Sequence, residues 1–282
     1  MPHLRDGSSS PRWAFARKRE PHSSTTIKSS PRNPPSTINQ TTLKPPPQFL
    51  PAILLTLLTS LPIAAQQTRT TILLDPAHGG PDPGAHLAGN TLEKDLTLAF
   101  SNRLRTLLST NGFTIQSTRD ADPAVPFSTD QRAEIANHLR PTACLILHAS
   151  STGSGVHIVT SPLPPLEEDL APTHLTPWNT AQSASIPQSL TLANDLGVAL
   201  LHAKIPFTLS RAAIRPLDNL TCPAVAFEIA PLTHSNAEPT SPADSAYQQR
   251  IAEAISSALT SWRKQTIAAA AAAAAEPAGA AR

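Results

Sequence analysis

The chain has 282 residues, of which 40% are hydrophobic and 15% charged, with 30 prolines and a formal net charge of +2. The charge is unevenly spread: residues 1–48 carry eight Lys/Arg against two Asp/Glu (8 − 2 = +6), and the remainder carries 14 against 18 (14 − 18 = −4). A mildly acidic body argues against a nucleic-acid-binding surface, so no nucleic-acid partner is expected.

The N-terminal segment is expected to lie outside the folded domain. Residues 1–48 are rich in Pro, Ser, Thr and basic groups without apolar periodicity, which predicts a disordered leader. Residues 49–65 form an apolar run of the length of a signal-peptide core, short for a bilayer span, that ends in the small residues Ala64 and Ala65. This pattern predicts an export signal and a location in the periplasm or cell envelope. The alternative is an uncleaved anchor that gives transient membrane contact.

Residues 68–266 are expected to form one domain, followed by an alanine-rich tail over 267–282 that extends the last helix or frays. Strands alternating with helices predict an α/β fold: a single domain with a mostly parallel, twisted sheet of about five or six strands flanked by helices. Strands are predicted over 70–74, 113–117, 143–147 and 155–160, near Phe207, and over 224–229. Helices are predicted over about 93–110, 128–139 and 184–203, and from Ser241 to about Lys264, with a long loop over 161–180.

The chain contains two cysteines, Cys144 and Cys222, each near the start of a predicted buried strand. In an exported protein they could form a disulfide. Free cysteine is also among the most buried residue types and behaves as a small apolar side chain. We therefore expect two unpaired core residues rather than a bridge.

Four polar residues stand out at the ends of these elements. His78 follows the first strand, His148 follows "ACLIL", Glu228 ends "AVAFE", and Glu93 opens the first long helix. Ligands of open α/β sheets bind beyond the carboxyl ends of the strands, so these side chains are candidates for one site. A buried carboxylate such as Glu228 needs a cation, hydrogen bonds or a proton. Two imidazoles and two carboxylates meeting at one sheet edge could satisfy each other around a divalent metal.

Each of these residues also has a plainer interpretation, because a lone loop histidine is usually just hydrogen-bonded and an early helical glutamate complements the helix dipole. Two His and one Glu nevertheless form a recognised catalytic zinc set whose fourth position is left to water. The remaining carboxylate would be free to act as a general base. The chain shows no phosphate-binding loop, dinucleotide-binding glycine pattern or GxSxG motif.

This ordered set resembles the zinc-dependent N-acetylmuramoyl-L-alanine amidases, which cut cell-wall peptidoglycan. The resemblance covers about residues 70–262 and includes the intervening segments "STRDAD" and "QRAEIAN". "LLDPAHGGPDPGA" is similar to the first ligand loop, "LEKDLTLA" to the second ligand, "LILHAS" to the third-ligand strand, and "CPAVAFEIAPLTHSNAE" to the strand of the catalytic glutamate.

The resemblance implies that His78, Glu93 and His148 bind Zn²⁺ and that Glu228 is the catalytic base. The implied reaction is hydrolysis of the amide between the lactyl group of muramic acid and L-alanine in peptidoglycan, carried out by a monomer. Asp75 is expected to orient a ligand or to cap the loop. Six further histidines are weak candidates for extra ligands: His86, His138, His157, His174, His202 and His234.

The chain departs from the family pattern at three places. Ala77 stands where glycine is usual, Ser150 stands in place of a common asparagine, and the segment after Glu228 is longer and carries Pro231. Two alternatives stay open, the first because it would use the same site and the second because of these departures. One is an exported zinc hydrolase of another amide or acylated sugar, and the other is a catalytically silent wall-binding homologue.

Overall fold

A computed structural model of the protein describes residues 70–166 and 177–275. These residues belong to one unit of the chain, Ala64–Arg282. The leader and export signal predicted for residues 1–65 lie outside the described residues, as do residues 167–176 of the predicted loop. Within the described ranges, no helix has both the length and the apolarity needed to cross a membrane.

The described residues form six strands and four α-helices, which confirm the predicted alternation with small shifts at the boundaries. The strands are β1 (Thr71–Pro76), β2 (Thr114–Ser117), β3 (Ala143–Ala149), β4 (Val156–Thr160), β5 (Phe207–Arg211) and β6 (Ala224–Ile229). The α-helices are α1 (Glu93–Thr110), α2 (Thr129–Leu139), α3 (Ile186–His202) and α4 (Ser245–Ala275). Short 3₁₀-helices lie at Ala88–Asn90, Trp178–Ser185 and Leu217–Asn219.

The strands form one sheet in the order β2-β1-β3-β6-β4-β5. The first four strands in this order, β2, β1, β3 and β6, are parallel to one another. β4 is antiparallel to β6, and β5 is parallel to β4. The predicted α/β domain with a mostly parallel sheet is therefore confirmed. Because β4 is reversed, its first residues lie beside the carboxyl ends of β1, β3 and β6. We call this side of the sheet the carboxyl edge.

The sheet is covered on both faces, which explains why its central strands are apolar throughout. One face packs against α1, α3 and α4, through side chains such as Leu145 and Phe227 of the sheet and Trp262 of α4. The other face packs against α2 and the segment before β6, with Ile146 and Ala226 among the buried side chains. Side chains alternate between the two faces along each strand. His148 and Glu228 therefore lie on the same face as Ile146 and Ala226, the face that packs against α2.

Two helix boundaries test the capping predictions. The predicted capping box at the start of α2 is present, with Ser128 and Gln131 exchanging side-chain and backbone hydrogen bonds. The predicted start of the last helix at Ser241 is wrong, because Ser241 and Asp244 first close a turn. Asp244 then caps α4 by accepting a 2.7 Å hydrogen bond from the backbone N–H of Tyr247. At its other end α4 continues into the alanine run, whose residues have the highest helix propensity.

The expectation of two unpaired cysteines is also wrong, because Cys144 and Cys222 form a disulfide. Cys144 lies at the start of β3, and its partner in the sheet register is Ala224, two residues after Cys222. Their Cα atoms lie 6.2 Å apart, within the range that a disulfide spans. The pairing depends on β3 and β6 being neighbours in the sheet, which the apolar pattern of each strand does not reveal.

We expect the disulfide to contribute substantially to stability, because it closes a loop between residues 78 positions apart in sequence. Reducing it should lower the free energy of unfolding by about 2–5 kcal/mol. Urea unfolding with and without a phosphine reductant measures the change. The double variant Cys144→Ala/Cys222→Ala is the control, since its unfolding should not respond to the reductant. Equal stability of the oxidised and reduced protein would contradict the expectation.

Candidate active site

Three of the four predicted site residues meet at the carboxyl edge. His78 follows β1, Glu93 is the first residue of α1, and His148 is the next-to-last residue of β3. Each offers one ligand atom, and these three atoms lie within 4.8 Å of one another. The two imidazole rings meet edge to face with their centroids 5.4 Å apart. We call His78, Glu93 and His148 the metal cluster.

The carboxylate of Glu93 joins the two imidazoles of the metal cluster. Its Oε2 lies 3.1 Å from Nε2 of His78, and its Oε1 lies 2.9 Å from Nδ1 of His148. Backbone N–H groups of Ala85 and Ala149 donate to the same two oxygens at 2.8 and 3.1 Å. The side chain is only 6% exposed, so this carboxylate is buried with every hydrogen bond supplied by the site.

The surroundings of the metal cluster shift the pKa values of its members. Burial alone would raise the pKa of Glu93, but hydrogen bonds from His148, His78 and two backbone N–H groups outweigh it and hold that pKa well below its ordinary value. The pKa of His78 is raised, chiefly by its hydrogen bond to Glu93 and further by Asp82, against the opposing effect of burial. The two carboxylates beside His78 thus make surroundings that favour positive charge, which a metal cation would supply in place of the imidazole proton.

The residues fit a divalent metal ion. Two imidazole nitrogens and one carboxylate oxygen are the protein ligands of one class of catalytic zinc site. The backbone beside them also leaves room, because Gly84 passes directly over the cluster with φ +65°. A Cβ at this position would lie 2.6 Å from Oε2 of Glu93 and 2.6 Å from Cδ2 of His78. Glycine therefore keeps open the space in which the ligand atoms converge.

Two buried arginines, Arg119 and Arg132, hold the loop that carries His78, and we call them the arginine clamp. Arg132 pairs with the buried carboxylate of Asp75 at 2.6 Å and donates to the carbonyl oxygens of Pro76 and His78. Arg119 donates to the carbonyl oxygens of Pro76 at 2.9 Å and Ala77 at 3.0 Å. Asp75 therefore acts on the ligand His78 through the backbone of its loop, rather than through the imidazole.

The arginine clamp fixes an unusual backbone conformation at the ligand itself. His78 has φ +62°, in the left-handed region, whereas Ala77 does not have a positive φ. Alanine at position 77 is therefore free of the strain that a left-handed conformation would impose. Asp82 completes the arrangement, because its Oδ2 lies 2.8 Å from Nδ1 of His78 and orients the ring.

Glu228, the fourth predicted residue, lies beside the metal cluster without belonging to it. In the sheet register Glu228 of β6 faces His148 of β3 on one side and His157 of β4 on the other. Its Oε1 lies 2.9 Å from Nδ1 of His157, and its side chain is 37% exposed against 6% for Glu93. The carboxyl edge thus carries one buried carboxylate, which belongs to the metal cluster, and a more accessible carboxylate beside it.

The contact of His157 with Glu228 is not predicted by the sequence, which offers His157 only as a weak candidate for an extra metal ligand. The alternation in "VHIVT" places it on the face opposite to the buried Val156 and Ile158. That signal gives the face, but the contact with Glu228 also requires the antiparallel pairing of β4 with β6. None of the other histidines considered joins the metal cluster within the described residues, and His174 lies outside them.

The chain is similar to known cell-wall amidases. The sequence model of a family described as N-acetylmuramoyl-L-alanine amidase matches residues 72–261, well over half of the chain. A germination-specific N-acetylmuramoyl-L-alanine amidase of Bacillus subtilis is 34% identical over 107 residues, which are 34% of this chain and 43% of that protein. AmiA of Salmonella typhimurium is 25% identical over 224 residues, which are 69% of this chain and 76% of that protein.

The matched region spans less than half of the first curated relatives: 43% of the Bacillus protein and 23% of AmiC from Neisseria meningitidis.

Solved structures share the fold. AmiC2 of Nostoc punctiforme superposes with a TM-score of 0.51 at 23% identity, covering 69% of this chain and 97% of that one. Ami1 of Mycobacterium smegmatis gives 0.53 at 21% identity, covering 68% and 96%.

The buried pair of Asp75 and Arg132 should be essential to the stability of the site. Asp75→Asn leaves the guanidinium of Arg132 buried without its counter-charge, so the free energy of unfolding should fall by about 3–5 kcal/mol. Arg105→Ala is the matched control, because the pair of Arg105 and Asp120 lies at the surface and should contribute at most about 1 kcal/mol. Urea unfolding measures both. Similar small losses in the two variants would show that the arginine clamp is not a stabilising feature.

Proposed function

The chain belongs to the family of N-acetylmuramoyl-L-alanine amidases, and from this membership we propose that it hydrolyses the amide bond between the lactyl group of muramic acid and L-alanine in peptidoglycan. The observation that carries the proposal is the convergence of His78, Glu93 and His148, whose ligand atoms lie within 4.8 Å of one another. The more exposed carboxylate of Glu228 lies next to this cluster on the neighbouring strand. Together they provide a metal site and a separate group for proton transfer.

Zn²⁺ is the proposed metal, held by the three residues of the metal cluster. The proposal is supported by the donor set of two imidazoles and one carboxylate, which is that of catalytic zinc sites with an open position. When bound, the ion would polarise the substrate carbonyl and lower the pKa of a water molecule. The arginine clamp and Asp82 contribute by holding the His78 loop and ring in place before the ion arrives.

Glu228 is the proposed general base. It takes a proton from the attacking water as the water oxygen bonds to the carbonyl carbon, and it passes that proton to the amine of L-alanine as the C–N bond breaks. The accessibility of its side chain and its place beside His148 support this role. Glu93 is not suited to it, because both of its oxygens already accept hydrogen bonds inside the buried cluster.

We further propose that the protein is exported and acts as a monomer on peptidoglycan in the periplasm or cell envelope, with transient membrane contact through its N-terminal segment. The disulfide supports export, because such bonds persist in oxidising compartments. The rival functions share this location. Digestion of purified peptidoglycan separates them: free L-alanyl stem peptides identify the amidase, products cut elsewhere identify another hydrolase, and zinc binding without any product identifies a silent homologue.

Replacing the proposed base should abolish turnover and leave the metal site intact. Glu228→Gln removes the proton acceptor, so release of stem peptides should fall by about 10²- to 10⁴-fold. Zinc content by elemental analysis should equal that of the unaltered protein. Glu134→Gln is the control, because Glu134 is an exposed carboxylate on α2 and its replacement should not affect the rate. Near-full activity of Glu228→Gln would remove this residue from the mechanism.

The affinity for zinc should depend on pH through His78. Because the hydrogen bonds with Glu93 and Asp82 raise the pKa of this imidazole against the opposing effect of burial, zinc must displace a bound proton over a pH range that extends above the ordinary pKa of histidine. Titration calorimetry between about pH 5 and about pH 8 should show weaker binding and greater proton release as the pH falls. Asp82→Asn keeps every ligand but removes part of the pKa shift, so it should move the midpoint of this dependence to lower pH. An affinity that is constant over the range would disprove the coupling.

A further inference from the structure

His157 is the one side chain that holds the carboxylate of Glu228 among the described residues. Its Nδ1 lies 2.9 Å from Oε1 of Glu228, and the two residues face each other in the antiparallel pairing of β4 and β6. Oε2 of Glu228 accepts no hydrogen bond from the described part of the chain. One oxygen of the carboxylate is therefore fixed, and the other is left to accept a hydrogen bond from a bound molecule.

The imidazole of His157 is itself held in position. Gly153, in the loop between β3 and β4, passes over the ring with φ +89°. A Cβ at this glycine would lie 2.7 Å from Cε1 and 3.0 Å from Nε2 of His157, so only glycine leaves room for the ring in this orientation. The ring is thus held between a tight backbone segment on one side and Glu228 on the other. Such packing restricts the rotamers that the imidazole could otherwise adopt.

Glu228 needs such a partner because it is accessible and its side chain has three rotatable bonds. An accessible glutamate populates several rotamers, and only some of them point its carboxylate towards the neighbouring His148 and the metal cluster. A proton acceptor must lie within hydrogen-bond reach of the proton it abstracts, so disorder of this side chain would lower the rate. The strand position of Glu228 fixes its Cα, but it does not fix the carboxylate.

We propose that His157 is a positioning residue for the reaction, which donates its Nδ1–H to Oε1 of Glu228 and so directs Oε2 towards the attacking water. This inference rests on the proposed function, because it assigns a partner to the proposed base. It also gives His157 a specific tautomer, with the proton on Nδ1, set by the carboxylate that accepts it. His157 does not contact the substrate in this role and is not a metal ligand.

Two substitutions at His157 separate the hydrogen bond from the packing of the ring. His157→Phe keeps a planar ring without a donor, and it should lower kcat on purified muropeptides by about 10- to 100-fold with KM and zinc content unchanged. His157→Asn places an amide N–H near the position of Nδ1, and it should recover most of the lost rate. The same two substitutions at His138, an exposed histidine on α2, are the controls and should leave kcat unchanged.

The kinetic results have distinct meanings. A fall in kcat with Phe that Asn largely restores supports the positioning role. Unchanged kcat in His157→Phe, or a change confined to KM, overturns it. Equal loss in the Phe and Asn variants, with unfolding transitions like that of the unaltered protein, also overturns it, because supplying an N–H donor would then not restore the rate.

A second measurement does not depend on activity. Nitrogen-15 NMR of the imidazole should show the proton of His157 on Nδ1, and Glu228→Ala should shift it towards Nε2, the more common tautomer of a free imidazole. Protonation on Nε2 in the unaltered protein would overturn the inference. If the unaltered protein released no stem peptide but showed the Nδ1 tautomer, the proposed function would fail while the pairing of His157 with Glu228 stood.

Discussion

The buried ion pair of Asp75 and Arg132 is the interaction on which the site depends. Both side chains are almost fully removed from water, and the desolvation cost of Arg132 is offset because its guanidinium finds further hydrogen-bond partners besides Asp75. Those partners are the carbonyl oxygens at the end of β1, where the backbone leaves the sheet and loses its ladder partners. The second guanidinium, Arg119, lies close by, and burial together with the charge of Arg132 lowers its pKa. Two cations thereby bind three consecutive carbonyls and hold His78 in a left-handed conformation that histidine seldom adopts.

The order of strands explains why the site has two parts with different environments. The metal cluster is built by β1, α1 and β3, where backbone N–H groups and the His78 loop enclose the carboxylate of Glu93. Glu228 and His157 come from β6 and β4, one and two strands further along the sheet. Reversal of β4 brings its first residues to the carboxyl edge, so a histidine at its second position can reach a glutamate near the end of β6. The proposed base is thus kept out of the buried cluster, yet lies within one strand of it.

Much of this arrangement could be predicted from the sequence, and the exceptions have a common cause. A strand that is buried on both faces has a continuous apolar sequence. A polar residue near its end, such as His148 or Glu228, is therefore conspicuous. The disulfide between Cys144 and Cys222 and the contact between His157 and Glu228 were not predictable in this way. Both depend on which strands are neighbours. In sequence, β6 is separated from β4 by α3, β5 and two 3₁₀-helices, and from β3 by β4 as well. Local periodicity carries no information about such pairings.

The departures from the family pattern lie around the site, and the structure accommodates each of them. Ala77 has an ordinary backbone conformation, and Ser150 forms a local turn by accepting the N–H of Thr152 at 3.1 Å. Pro231, in the longer segment after Glu228, accepts a 2.9 Å hydrogen bond from the N–H of Gly155 in the loop before β4. That bond connects the segment after Glu228 to the loop whose Gly153 packs against the ring of His157. The longer segment therefore packs beside the site and leaves His157 and Glu228 in contact. None of these changes removes His78, Glu93, His148 or Glu228, and the fold still brings the first three together with Glu228 on the neighbouring strand. The departures therefore change the surroundings of these four residues, while the residues themselves stay where the strands and the start of α1 place them.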